Sequence, residues 1–216
     1  MREVQAKICG IRTVEAGRAA VTGGAAYIGF IFYPPSPRAI EPKEAARIAA
    51  GLPESLGKVA VTVNADDEAL GALLEVYPFD LLQLHGKESP ARVAEVRKRF
   101  GRPVMKAIPV AGAEDLAAVR PYLEAADRLL FDAKPPKDTK GALPGGNALS
   151  FDWSLLAGRT WPLPWFLSGG LDSGNLAEAV RVTGARAVDV SSGVEDKPGR
   201  KNPAKITSFL ETLARL

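Results

Sequence analysis

Short apolar runs rich in β-branched residues recur along the chain. Between them lie longer stretches in which Leu, Val, Ile and Ala return at helical spacing with charges on the opposite side. The runs at residues 4–9, 26–32, 58–63, 80–84, 104–109, 128–131, 165–168 and 187–190 predict eight strands. The stretches at 41–50, 66–77, 89–100, 113–122, 173–183 and 203–216 predict helices between and after them. Ser89-Pro90 and Asn202-Pro203 each place a capping side chain before a proline at a first helical position. Strict alternation of strand and helix implies a parallel sheet with helical crossovers. Eight rounds favour closure, so the expected fold is α/β, a single (β/α)8 TIM barrel spanning residues 1–216 as one domain. The sixth crossover departs from the pattern: residues 133–150 are rich in Pro, Gly and Lys and read as a long mobile loop, a substrate lid, with only a short helix near 151–157.

Two glycine-rich strand ends follow one another near the C-terminus, Ser168-Gly169-Gly170-Leu171 and Asp189-Val190-Ser191-Ser192-Gly193-Val194-Glu195. Small residues let backbone N–H groups approach an anion with no Cβ in the way. In this class of barrel the loops after strands seven and eight frequently hold a substrate phosphate, so Gly169, Gly170, Ser191, Ser192 and Gly193 are candidate phosphate contacts.

Composition removes several function classes. Lys and Arg number 28 against 25 Asp and Glu, leaving a net charge of +3, and the charges are dispersed, which argues against a nucleic-acid partner. A lone cysteine cannot form an internal disulfide, no charged-then-apolar leader opens the chain, and no apolar run reaches membrane-spanning length. A soluble cytoplasmic protein, monomer or homodimer, acting on a phosphorylated small molecule is the expectation.

Candidate chemistry sits at the strand ends. Cys9 closes strand one, where barrel catalytic residues stand, although a lone Cys is also a common small core residue. Strand alternation places Lys7 on the same face, one layer below. Asp132 follows Leu129-Leu130-Phe131 with no clear helix after it to cap. A carboxylic acid across the mouth from a thiolate makes an acid and base pair. Asp189 shares an inward face with Ser191, and Lys7 is its natural partner, leaving either a buried ion pair or a direct role open. Arg38, behind Pro34, Pro35 and Pro37, suits recognition of a substrate carboxylate. His85, the only histidine, ends strand four as general acid, pocket wall or satisfied polar group. With no second His and no Cys cluster, no metal site is expected.

Taken in order, Lys7-Ile8-Cys9-Gly10-Ile11, Ser36-Pro37-Arg38, Val63-Asn64, Gln83-Leu84-His85-Gly86, Leu130-Phe131-Asp132, Phe151-Asp152-Trp153 and the two glycine-rich segments make a specific combination. Over essentially its whole length the chain resembles the phosphoribosylanthranilate isomerases of tryptophan biosynthesis. The resemblance implies a cofactor-free Amadori rearrangement of N-(5-phosphoribosyl)anthranilate to 1-(2-carboxyphenylamino)-1-deoxyribulose 5-phosphate. By the family's pattern Asp132 matches the general acid, Cys9 the general base, and Arg38 the residue near the anthranilate carboxylate. The family usually shows Gly-Gly-Thr-Gly in the loop after strand six, where this chain reads Gly145-Gly146-Asn147-Ala148. The aminoimidazole sugar-phosphate isomerases of histidine biosynthesis resemble it less, because they carry Asp where this chain has Cys9. A non-catalytic phosphate-binding barrel would need neither Cys9 nor Asp132.

Overall fold

A computed structural model describes residues 4–135, 145–146 and 149–216. Eight parallel strands close into a barrel in sequential order: β1 (Gln5–Cys9), β2 (Tyr27–Phe32), β3 (Gly57–Thr62), β4 (Leu81–Leu84), β5 (Val104–Val110), β6 (Arg128–Ala133), β7 (Trp165–Leu167) and β8 (Ala187–Val190). Pairing of β1 with β8 completes the ring and sets Lys7 opposite Asp189. The strands read as nearly continuous apolar runs because both faces are buried. Inside the barrel, Val59, Val61, Leu81, Met105, Leu130 and Phe166 fill the lower layers. Outward residues such as Ile8, Phe30, Leu82 and Phe131 pack against the helices.

The crossovers are α1 (Val14–Thr22), α2 (Pro42–Ala50), α3 (Asp67–Val76), α4 (Pro90–Phe100), α5 (Ala113–Ala117) and α6 (Leu176–Thr183), and α7 (Pro203–Leu213) follows the last strand. Ser89 accepts a hydrogen bond from Arg92 N, and Asn202 accepts from Ala204 N and Lys205 N, so both expected caps form. Three stretches are shorter than the pattern suggests. Helix α5 gives way to a 3-10 turn at Arg120–Tyr122 around Pro121, which supplies no N–H to continue it. Helix α6 starts only at Leu176, because Asp172 draws the amides of Gly174 and Asn175 into a local turn. The element near 151–157 is a 3-10 turn at Trp153–Leu156.

Two features go beyond the alternating pattern. Strand β6 runs one residue past Asp132, and a small antiparallel hairpin, β9 (Glu195–Lys197) with β10 (Arg200–Lys201), follows β8. The hairpin folds Lys201 back beside Glu195 at the barrel mouth. Most of the expected lid at 133–150 lies outside the described residues. Among the described residues, no helix is long and apolar enough to cross a membrane.

Candidate active site

One cavity opens at the C-terminal ends of the strands. Cys9, Arg38, His85, Asp132, Gly169, Gly170, Asp189, Ser191 and Ser192 all line it. Gly193 stands just behind: a Cβ there would overlap the Leu171 carbonyl oxygen, so its missing side chain is what lets the loops after β7 and β8 pack together. Neither Gly169 nor Gly170 donates its N–H to another described residue, which leaves two backbone donors beside the cavity.

The floor of the site is a charged knot around Cys9. Lys7 Nζ donates to Asp189 Oδ1 at 2.7 Å, with the lysine fully buried, and Ser168 Oγ donates to the other carboxylate oxygen at 3.3 Å. A Cβ on Gly29 would lie 3.0 Å from Cys9 Sγ and 3.1 Å from Lys7 Nζ, so glycine in β2 leaves the space these two groups share. Burial pushes the Cys9 thiol above its ordinary range; the Lys7 ammonium opposes this and Asp189 adds to it. Lys7 is also pulled down by burial, but Asp189 and Cys9 together outweigh that and hold it above the usual lysine range. Lys7→Met would strand the Asp189 carboxylate with only a serine hydroxyl. A stability loss of about 3–5 kcal/mol is expected by urea unfolding, largely recovered when Asp189→Asn is added, because an amide tolerates burial without a countercharge.

Across the mouth, Asp132 Oδ1 accepts from Ala133 N at 2.9 Å and its Oδ2 lies 3.2 Å from His85 Nε2. Gln83, fully buried, places its Nε2 2.8 Å from His85 Nδ1. With Gln83 donating, the imidazole carries its proton on Nε2 and directs it at Asp132. The loop bearing His85 is itself tied down. Glu88 accepts from Asn64 N and Gly86 N, and Lys106 donates to Gly86 O and to Glu88, both at 2.7 Å. Gly145 approaches this pair so closely that a Cβ would fall 2.5 Å from Asp132 Oδ2 and 2.7 Å from His85 Nε2. Gly146, at φ 74°, lies against Arg38 Nη1. Asn147 and Ala148 lie outside the described residues.

Arg38 does not face water. Its segment is turned by Ser36, whose hydroxyl accepts from Arg38 N, and its guanidinium donates through Nε and Nη2 to Glu195 Oε1 and Oε2 at 2.9 and 2.8 Å. Only 3% of Arg38 is exposed, and Nη1 is the edge left toward Gly146. Glu195 also accepts from Lys201 at 2.7 Å. Burial raises the Glu195 carboxyl, but Arg38 and Lys201 together hold it below the usual range. The sequence reading assigned no role to Glu195, Lys201 or Gln83. Gln83 was open to inference from strand alternation below His85, whereas the Glu195 and Lys201 contacts depend on the hairpin.

Among the described residues, no group of three or more His, Cys, Asp and Glu could hold a metal ion. The family model for N-(5'-phosphoribosyl)anthranilate (PRA) isomerase matches residues 6–212. The chain is 57% identical over 212 residues to the N-(5'-phosphoribosyl)anthranilate isomerase of Cereibacter sphaeroides, covering 98% of this chain and 99% of that protein. It superposes on the phosphoribosyl anthranilate isomerase of Thermotoga maritima with a TM-score of 0.87 at 35% identity, covering 99% of this chain and 100% of the other. A phosphoribosyl anthranilate isomerase in complex with reduced 1-(O-carboxyphenylamino)-1-deoxyribulose 5-phosphate gives 0.83 at 34% identity, with the same coverage. Eight strands in ring order, a mouth lined by both Cys9 and Asp132, and this breadth of likeness have one reading: the chain belongs to the phosphoribosylanthranilate isomerase family.

Proposed function

We infer that the protein catalyses the Amadori rearrangement of N-(5-phosphoribosyl)anthranilate to 1-(2-carboxyphenylamino)-1-deoxyribulose 5-phosphate in tryptophan biosynthesis. With one cysteine and hence no internal disulfide, it is read as a cytoplasmic enzyme. The observation that carries the mechanism is the placing of a thiol and a carboxyl group in one cavity that also offers backbone N–H groups for a phosphate.

In this reading Asp132 gives its proton to the furanose ring oxygen as the C1–O bond breaks. The anthranilate nitrogen lone pair forms the iminium, which acidifies the proton on C2. Cys9 thiolate removes that proton to give an enolamine, and tautomerisation yields the ketose. A thiol raised by burial is scarcer as thiolate but a stronger base once formed. Arg38, steadied by Glu195, offers Nη1 to the anthranilate carboxylate. The phosphate, held by the amides of Gly169, Gly170, Ser192 and the turn containing Gly193, positions the sugar from a distance and contributes binding energy to the reacting geometry.

Incubation with freshly prepared phosphoribosylanthranilate should show loss of its fluorescence dependent on Cys9 and Asp132. Turnover of the aminoimidazole aldose with none of the anthranilate substrate would favour the histidine-pathway reading, and phosphate binding without turnover of either would favour a binding module. The phosphate assignment has its own check. Gly193→Ala drives the loop after β8 off Leu171, so the inhibition constant for inorganic phosphate and the substrate KM should rise together, by roughly tenfold if one charge-assisted contact is lost. A rise in KM alone would move the phosphate elsewhere.

A further inference from the structure

Lys201 takes no part in the steps above, yet its side chain is only 2% exposed at the edge of the mouth. Its three contacts are all to acceptors: Glu195 Oε1 at 2.7 Å, Ser191 O at 2.9 Å and Ser191 Oγ at 3.2 Å. Burial holds Lys201 below the usual lysine range against the pull of Glu195 and Cys9, but three acceptors match the three donors of an ammonium group, which is the geometry of a charged lysine. Ser191 Oγ in turn donates to Cys9 O at 3.2 Å, and a Cβ on Gly10 would lie 3.4 Å from Lys201 Nζ. One hydroxyl group therefore separates this cation from the backbone of Cys9.

The buried charges near Cys9 do not cancel. Lys7, on the same strand, is matched by Asp189 on β8. Glu195, a single carboxylate, serves both Arg38 and Lys201. With Cys9 as a neutral thiol this group of side chains carries one excess positive charge, and ionising the thiol removes it. Asp132 and His85 face the same cavity from β6 and β4, and an ionised Asp132 opposes the thiolate.

Building on the reading of Cys9 as the base, we propose that Lys201 is a positioning residue that supplies the excess positive charge favouring the Cys9 thiolate, and that Glu195 sets how much of that charge reaches the sulfur. It acts through Cys9 and touches no reacting atom. The direction of its influence on the thiol agrees: burial raises Cys9, while Lys7 and Lys201 both pull it down.

Because Cys9 is the only cysteine in the chain, its ionisation can be read directly in the substrate-free protein. The rate of alkylation by iodoacetamide and the ultraviolet absorbance of the thiolate, with Cys9→Ala as blank, would be followed against pH. Lys201→Met should slow alkylation at neutral pH by about tenfold and move the thiolate absorbance to higher pH. Lys201→Arg should restore the original curve, because it keeps the charge. Glu195→Gln should move the curve the other way, leaving two cations with no carboxylate between them. These opposite signs set the proposal apart from a packing role, in which Lys201→Met and Glu195→Gln would displace the curve alike. That result, or a Lys201→Met curve that overlies the original, overturns it. Should Lys201→Met fail to fold, a Glu195→Gln curve that does not move to lower pH is sufficient to overturn it. Thiol ionisation is measured without turnover, so a failure here is distinct from a failure of Cys9 as base, which the kcat of Cys9→Ser reports.

Discussion

Cys9→Ser should bind substrate nearly as well as the unaltered protein and lose roughly three orders of magnitude or more in kcat. The change is one atom in a site where Cys9 is 5% exposed, and serine fits the same space beside Gly29 and Lys7. Removal of the C2 proton, however, needs an anion at that atom. An alcohol ionises far less readily than a thiol, and burial, which already raises the thiol, disfavours an alkoxide further. Lys7, which Asp189 engages at 2.7 Å, and Lys201 pull the other way but do not outweigh burial. Steady-state kinetics with phosphoribosylanthranilate, together with the inhibition constant of a reduced product analogue, separate the two effects. A loss smaller than tenfold would mean that less than ~1.4 kcal/mol of transition-state stabilisation depends on the thiol, and would remove Cys9 from the role of base.

The parts of this arrangement that follow from local rules were legible in the sequence. Strand periodicity puts Lys7 with Cys9 on one face of β1, and Asp189 with Ser191 on the inward face of β8. The closure of eight strands then makes β1 and β8 neighbours, so the Lys7–Asp189 pair follows from counting alone. Asp132 stood out because a carboxylate after an apolar run had no helix to cap, and among the described residues its side chain takes a backbone hydrogen bond only from the next residue. The partner of Arg38 was not legible. Glu195 lies 157 residues away, on a hairpin that no periodicity marks, and the proline-stiffened segment suggested only a guanidinium suited to a substrate carboxylate. The Nε–Nη2 edge is occupied by Glu195, which leaves Nη1 as the nitrogen not engaged with Glu195 for the proposed carboxylate contact. Lys201 was hidden for the same reason: a lysine near the C-terminal end of a chain reads as solvated surface until the hairpin turns it inward.

Asp132→Asn should lower kcat by roughly two to four orders of magnitude with little change in KM, the range expected when a general acid is removed. The substitution is close to isosteric, and the surroundings can absorb it. The amide oxygen still accepts from Ala133 N in place of Oδ1. The amide nitrogen would face His85 Nε2, which can accept if the imidazole proton moves to Nδ1. Gln83 meets that change by turning its amide, presenting to Nδ1–H the Oε1 that otherwise has no partner in the described structure. Every hydrogen bond at the acid is therefore replaced, and unfolding midpoints should stay within about 1 kcal/mol of the unaltered protein. Only the transferable proton is lost. The competing account, in which Asp132 merely shapes the start of the loop through Ala133, makes the opposite forecast: Asn accepts the same backbone bond, so the variant should remain nearly fully active. A third outcome, a raised KM with kcat preserved, would make Asp132 a binding group for the sugar. Ring opening cannot proceed at rate without a proton delivered to the departing oxygen. A variant that keeps its fold and its affinity yet turns over a hundredfold more slowly would thus assign that delivery to Asp132.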